Sequence, residues 1–274
     1  MHWMGTETLI RASAFLVVFA ILAITEILAP RRRLSVSKFK RWRINLTMVA
    51  LNPLAVVLVF PLLPIGLALL ASEQNWGLLN QFIMPFWLKV VLGFLLLDLT
   101  VYTQHVLHHA LPALWRLHMV HHADLDFDVT TGLRFHPIEI VISMAIKLAA
   151  VAALGAPPAA VLIFEVALNA TSMFNHSNIR IPVKVDRVLR LLVVTPDMHR
   201  VHHSVIIRET NSNFGFNLPW WDRLFGTYKT QPDKGHTDMI IGLAQFRDQG
   251  KLSLPRLLIL PFTGHPGTVP INRH

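Results

Sequence analysis

Six histidines fall between positions 105 and 122, in the stretch HVLHHALPALWRLHMVHH. His105 and His109 are four apart, so on a helix they lie one above the other on a single face. His118, His121 and His122 follow at i, i+3 and i+4, which predicts three imidazoles gathered on one side of a second helix. Pro112 ends the first helix and lets the second turn back towards it. The same HxxHH spacing recurs at His199, His202 and His203. A lone histidine is ordinarily a hydrogen-bonded surface or core residue. Two HxxHH groups and an Hx3H pair beside apolar segments instead predict a cage of neutral nitrogens holding more than one metal ion. Histidine-only sites suit iron, zinc and copper alike, and spacing does not choose among them. A cluster that protonates as a pH sensor is the other use of so many imidazoles.

Composition bounds the setting of this chemistry. Of 274 residues 53% are hydrophobic and 15% charged, with no cysteine, and the mean hydropathy is +0.47. These values predict an integral membrane protein. The lack of cysteine excludes disulfides, thiolate-bound haem, cysteine-bound iron–sulfur clusters and zinc fingers. The net charge of +9 could suggest nucleic acid, but much of the excess lies in one run, Arg31 to Arg43. Placed directly after an apolar segment and without a recognition fold, such a run is expected to touch anionic headgroups and set topology.

The elements that must position the histidines follow in order. Leu9 to Ala29 is long enough to cross a bilayer, and its basic cluster follows the apolar core, which reads as a retained span rather than a cleaved leader. A second span, Leu46 to Ala71, contains Pro53, Pro61 and Pro64 and should be kinked or broken. Ser72 to Gln81 is a short polar loop. A third span, Phe82 to Tyr102, runs straight into His105. Asp98 lies within it, seven residues before His105 and on nearly the same face, and is expected to accept the distal N–H of a ligand histidine. Asp124, Asp126 and Asp128 alternate along a segment read as a solvated loop, because the rest of a calcium-loop pattern is absent. Arg134, His136 and Glu139 precede the apolar stretch Ile140 to Phe174, which Gly155–Pro158 divides into a helical hairpin. Its return brings His176 to the side of the other histidines. Thr195-Pro196-Asp197 has the form of a helix start just before the second HxxHH. Leu252 to Phe262 is too short to span and is expected in the interface. His265 and His274 stand outside every pattern.

Taken in order, Asp98, His105-x3-His109, His118-x2-His121-His122, Arg134-x-His136-Pro137-x-Glu139, Asn175-His176 and His199-x2-His202-His203, with the trailing SNFG and WDRLFGTY, resemble the sterol desaturase/fatty acid hydroxylase superfamily of membrane di-iron enzymes. The resemblance covers the chain from the third span to Tyr228. It implies two irons that activate O2 for attack on an aliphatic C–H bond. Carried onto this sequence, the ligands it implies are His105, His109, His118, His121, His122, His176, His199, His202 and His203, with His136 as a tenth candidate. His108 is left out because the pattern in that block is Hx3H. Some relatives carry a further histidine four residues before the position of His176, where this chain has Ser172.

The expected fold is all-α: an integral membrane helical bundle of about three spans plus a helical hairpin, with a cytoplasmic histidine-rich di-metal cap. Residues 1–81 form an N-terminal transmembrane region, and residues 82–274 a catalytic domain whose membrane helices are 82–104 and 138–174. The expected function is O2-dependent hydroxylation of a lipid drawn from the bilayer, at a metal site facing the cytoplasm of a bacterial inner membrane. Reducing equivalents come from a separate electron donor, and Asp98 and Glu139 orient ligands. Desaturation at the same site is the near alternative. A non-enzymatic metal transporter or sensor is the distant one, disfavoured because the spans before the clusters read as nearly uncharged apart from Asp98 and Lys89.

Overall fold

The computed structural model describes residues 2–267 and 271, with side chains from residue 6, so His274 lies outside the described residues. Among these there is no strand; the nearest approach is two isolated bridges, Pro30 with Ile179 and Ser204 with Ile241. The helices are α1 (His2–Leu28), α2 (Lys38–Val59), α3 (Pro64–Glu73), α4 (Phe86–Ala110), α5 (Pro112–His122), α6 (Pro137–Leu154), α7 (Pro158–Asn175), α8 (Val183–Leu189), α9 (Pro196–His202), α10 (Ile207–Thr210), α11 (Trp220–Leu224), α12 (Gly235–Asp238) and α13 (Leu254–Thr263).

Among the described residues, five segments are long and apolar enough to cross a membrane: Thr6–Leu28, Lys38–Gln81, Phe86–Ala110, Pro137–Leu154 and Pro158–Asn175. The protein is an all-helical integral membrane protein. The second segment is broken, as its prolines predict: α2 stops at Val59, and α3 restarts on Pro64 at its first position, where the missing N–H costs nothing. α1 packs on α7, α2 on α6, and α3 on both members of the α6–α7 hairpin. The hairpin turns on Gly155 at φ 60°. Gly77, at φ 84°, presses on this turn, and a Cβ there would stand 2.0 Å from the Gly155 nitrogen. Gly77→Ala should therefore destabilise the fold by about 1–3 kcal/mol for the backbone conformation alone, and by more once the collision is added, read as a lowered thermal midpoint in detergent.

α4 does not end at the apolar boundary. It continues past the expected span end at Tyr102 to Ala110 and so carries His105, His108 and His109 on its last turns. Leu111 closes α4 and opens α5, with Pro112 in the first turn. α5 carries Trp115, Met119 and Val120 into a core completed by Met48 of α2 and Leu257 of α13. α13 thus lies along α5 with Leu257 and Pro261 buried and Ile259 and Phe262 exposed.

Two readings of the polar segments are corrected here. Asp124, Asp126 and Asp128 are not a solvated loop: all three are buried. Nor does the basic run as a whole face headgroups. Arg41 is buried and makes paired bonds to Asp124 (2.6 and 2.7 Å) and a further one to Asp128. The backbone N–H groups of Ser35 and Val36 donate to Asp126. Arg31 reaches Asp197 in α9 at 3.1 Å. The alternating acids and the basic run are the two halves of one clamp, and of the run's basic residues only Arg33, Lys40 and Arg43 stay exposed.

Candidate metal centre

Four helix ends meet above the membrane bundle. The end of α4 brings His105 and His109; α5 brings His118, His121 and His122; the end of α7 brings His176; and α9, capped by Thr195 Oγ1 accepting from the Met198 N–H, brings His199, His202 and His203. Their nitrogens fall into two groups. His105, His109, His118, His122 and His202 form one, and His121, His176, His199 and His203 the other, with ligand atoms in each within 4.8 Å of one another. All nine side chains are buried.

Each HxxHH is split between the groups, contrary to the expectation of three imidazoles on one side. At 100° per residue, position i+4 lies 40° from position i on one flank and position i+3 lies 60° from it on the other. The i and i+4 histidines of α5, His118 and His122, enter the first group and His121 the second. In α9 the assignment is reversed: His199 and His203 enter the second group and His202 the first. The groups therefore adjoin, with the His122 ring stacked on that of His203 at 4.5 Å between centroids.

The donor set fits a cation in each group. His105 Nδ1 lies 2.7 Å from the Phe214 carbonyl, His118 Nδ1 2.6 Å from Glu139 Oε1, and His176 Nδ1 2.7 Å from the Ser172 carbonyl. These acceptors place the proton on Nδ1 and leave each Nε2 a bare lone pair. Yet His105 and His118 bring those Nε2 atoms to 3.1 Å, His109 and His122 to 3.2 Å, and His176 approaches His121 and His203 at 3.1 and 3.2 Å. Lone pairs so placed repel unless a positive ion lies between them. Two nitrogens at ~2.1 Å from one ion and at right angles stand about 3 Å apart. Nε2 of His199 and of His202 are likewise buried with no hydrogen-bond partner among the described residues.

Burial holds the imidazoles outside the membrane spans below their ordinary pKa. His121 is brought to about 3, and His122, His202 and His203 are lowered further by neighbouring imidazoles. They stay neutral at physiological pH, as metal ligands must. Burial thus disfavours the charged imidazolium that a sensor switching between pH 5 and 8 would need.

The carboxylates divide. Glu139, in the first turn of α6, accepts from His118 and lies 3.9 Å from His108 Nε2. Asp98 touches no histidine. It accepts from Asn217 Nδ2 and Trp221 Nε1, each at 2.8 Å. Seven residues place it about 10 Å down α4 from His105, too far for contact, and it instead anchors the loop whose Phe214 carbonyl meets His105. His136 belongs to neither group. Its Nδ1 accepts from the Ile138 N–H and its Nε2 faces the Leu258 carbonyl at 3.0 Å, so no lone pair remains for a metal. His108 is also outside both groups, with Nδ1 on the Gln104 carbonyl. Sequence reasoning missed Asn211, whose Oδ1 faces His109 Nδ1 at 3.1 Å, and the carbonyls of Ser172, Ser212 and Phe214. Backbone acceptors carry no residue signature. Glu139→Gln should lower metal affinity or turnover by about 10–100-fold, read as metal retained after dialysis against a chelator, while the fold survives because the amide oxygen still accepts.

A cavity of about 620 Å³ opens beneath the first group, walled by α1, α2, α4, α6 and α7. His105, His108, His118 and Glu139 line its upper end, with Phe135 and Phe216 beside them. The spans are also less uncharged than the sequence reading held: Arg11, Lys147 and Glu165 line the same cavity. Their signal was available, since Lys147 and Glu165 stand eight and seven residues from either side of the Gly155–Pro158 turn.

Residues 90–227 match the family model described as fatty acid hydroxylase. Ornithine lipid hydroxylase OlsE of Rhizobium tropici is 33% identical over 155 residues, 57% of this chain and 46% of that protein. Human alkylglycerol monooxygenase is 28% identical over 151 residues, 54% and 32% of the two chains. Cholesterol 25-hydroxylase of Rattus norvegicus is 28% identical over 145 residues, 52% and 47%. The matched region is less than half the length of each of these relatives. No solved structure matches the chain.

Proposed function

Because this chain belongs to the fatty acid hydroxylase family, we propose that it is a membrane-bound di-iron oxygenase that hydroxylates an aliphatic C–H bond of a lipid. The observation that carries this reading is the pair of adjoining groups of buried imidazoles, the first of which reaches a cavity among the spans through His105 and His118. His105, His109, His118, His122 and His202 hold one iron, and His121, His176, His199 and His203 the other. Bound iron supplies the activation of O2. Overall, one oxygen atom enters the C–H bond and the other leaves as water, with two electrons and two protons drawn from a separate donor.

The chain's own residues do the rest. The walls of the cavity exclude water and bring an aliphatic chain to His105 and His118. Glu139 fixes the tautomer of His118, and Asp98 acts on His105 only by holding the 214–221 loop. Residues 82–274 make the catalytic domain, and residues 1–81 complete the cavity wall and clamp the cap through Arg31 and Arg41. We place the metal face in the cytoplasm of a bacterial inner membrane, supported by the exposed Arg33, Lys40 and Arg43 at that end of the bundle. Reporter fusions after Gln74 and after Arg187 should then report opposite sides.

The deciding experiment is comparative lipid mass spectrometry of cells with and without the gene, joined to metal analysis of purified protein. A lipid heavier by one oxygen and two irons per chain are expected. Products only two hydrogens lighter would replace hydroxylation by desaturation, and a single metal equivalent would remove the di-iron centre.

A further inference from the structure

A buried carboxylate lies in the cavity away from the histidines. Glu165, midway along α7, is 1% exposed. Lys147 Nζ donates to its Oε1 at 2.9 Å, and Arg11 Nη1 of α1 stands 3.2 Å from its Oε2. All three side chains line the cavity that reaches His105 and His118. Lys147 is eight residues beyond Glu139 on α6, which separates this cluster from the histidine end by about 12 Å along the helix. Arg11 lies towards the end of α1 remote from the cap.

Hairpin register alone does not account for three charges at membrane depth. Buried ion pairs add little net stability compared with apolar side chains of the same size, and ionisable groups inside spans characteristically face substrate paths. One lysine would also suffice to neutralise one glutamate. Here two cations meet one buried acid, and both retain N–H donors beyond those given to Glu165. The further acid nearby is Glu7, one turn before Arg11 and only half-buried. Glu7 balances the second cation, so what the cluster offers the cavity, away from its histidine end, is spare N–H donors on Arg11 and Lys147.

We propose that Arg11 and Lys147 receive the anionic head, a carboxylate or a phosphate ester, of a single-chain amphiphile whose tail runs to His105 and His118. Calling that amphiphile the substrate rests on the oxygenase reading; the binding site itself does not. The consequence is a ruler: oxidation falls at a fixed distance from the head and far from it, rather than on the adjacent carbon.

The test uses the full chain in an uncharged detergent and displacement of a fluorescent fatty acid by hexadecanoate, monohexadecyl phosphate or hexadecan-1-ol. The wild type should bind at least one anion about tenfold or more tightly than the alcohol, as charge-assisted hydrogen bonds require; whichever anion binds better identifies the head as carboxylate or phosphate. The triple variant Arg11→Gln/Lys147→Met/Glu165→Leu leaves no unpaired buried charge in the cluster. It should bind all three probes alike, with unchanged affinity for the alcohol and unchanged metal content. Equal affinities in the wild type, or a preference surviving in the triple variant, overturn the proposal. Should the triple variant not fold, Arg11→Gln alone must weaken the anion preference, and failure to do so is equally fatal. Intact head preference without hydroxylation would remove the oxygenase reading alone, and hydroxylation without head preference would remove the ruler alone.

Discussion

His202→Ala is expected to abolish turnover and to strip metal from the first histidine group. His202 is held by the Ser212 carbonyl at 2.8 Å from its Nδ1, while its Nε2 is buried without a partner and faces His105, His109 and His122. It is the only residue of α9 in that group, so its loss removes that helix's ligand from the first group while His121 of α5 still joins His199 and His203 in the second. Metal analysis and lipid turnover measured on the same preparation should fall together. His136→Ala is the informative comparison. Its nitrogens serve the α6 cap and the Leu258 carbonyl, so it should cost some stability and leave metal content unchanged. Loss of metal in His136→Ala, or full retention in His202→Ala, would contradict the division into two groups.

Arg41→Met should unfold the cap at far lower temperature than any single cavity substitution. The guanidinium is buried among Asp124, Asp128 and Thr131 and is bonded to all three. Its removal strands two carboxylates in the interior, which costs roughly 3–5 kcal/mol. Arg41→Met/Asp124→Asn should recover part of that loss, since one stranded charge is then gone. The same clamp sets an acid limit. Burial raises the Asp124 carboxyl, but the charge and hydrogen bonds of Arg41, with help from Arg134, outweigh it and hold the group well below the usual carboxylate range. A depressed folded pKa contributes stability that is complete above the unfolded value near 4 and is lost as pH falls towards the folded one. The wild-type thermal midpoint should therefore drop on acidification below about pH 4, and the Arg41→Met/Asp124→Asn protein should lose that part of the dependence.

The sequence by itself determined the chemistry and the class of fold. Apolar runs of fixed length can only be spanning helices, Pro61 and Pro64 can only interrupt one, and Hx3H and HxxHH place imidazoles at known angles on whichever helix carries them. Eight of the nine histidines of the two groups were legible for that reason, because helical geometry is local, and His176 was read from the return of the hairpin. What each was bound to was not. That α5 and α9 divide their triplets between neighbouring sites depends on how two distant helices cross. Asp98 was assigned to a histidine from its helix face, but the 214–221 loop, more than a hundred residues later, supplies nearer donors. His136 sits in the right motif yet spends one nitrogen on the Ile138 N–H at its own helix start and the other on the Leu258 carbonyl, which only the docking of α13 brings near. The alternating aspartates read as solvated because nothing local pairs them, whereas Arg41, some eighty residues earlier, buries them. Charge pairing and hydrogen bonding are short-ranged in space and indifferent to separation along the chain, so only the tertiary structure could assign the partners.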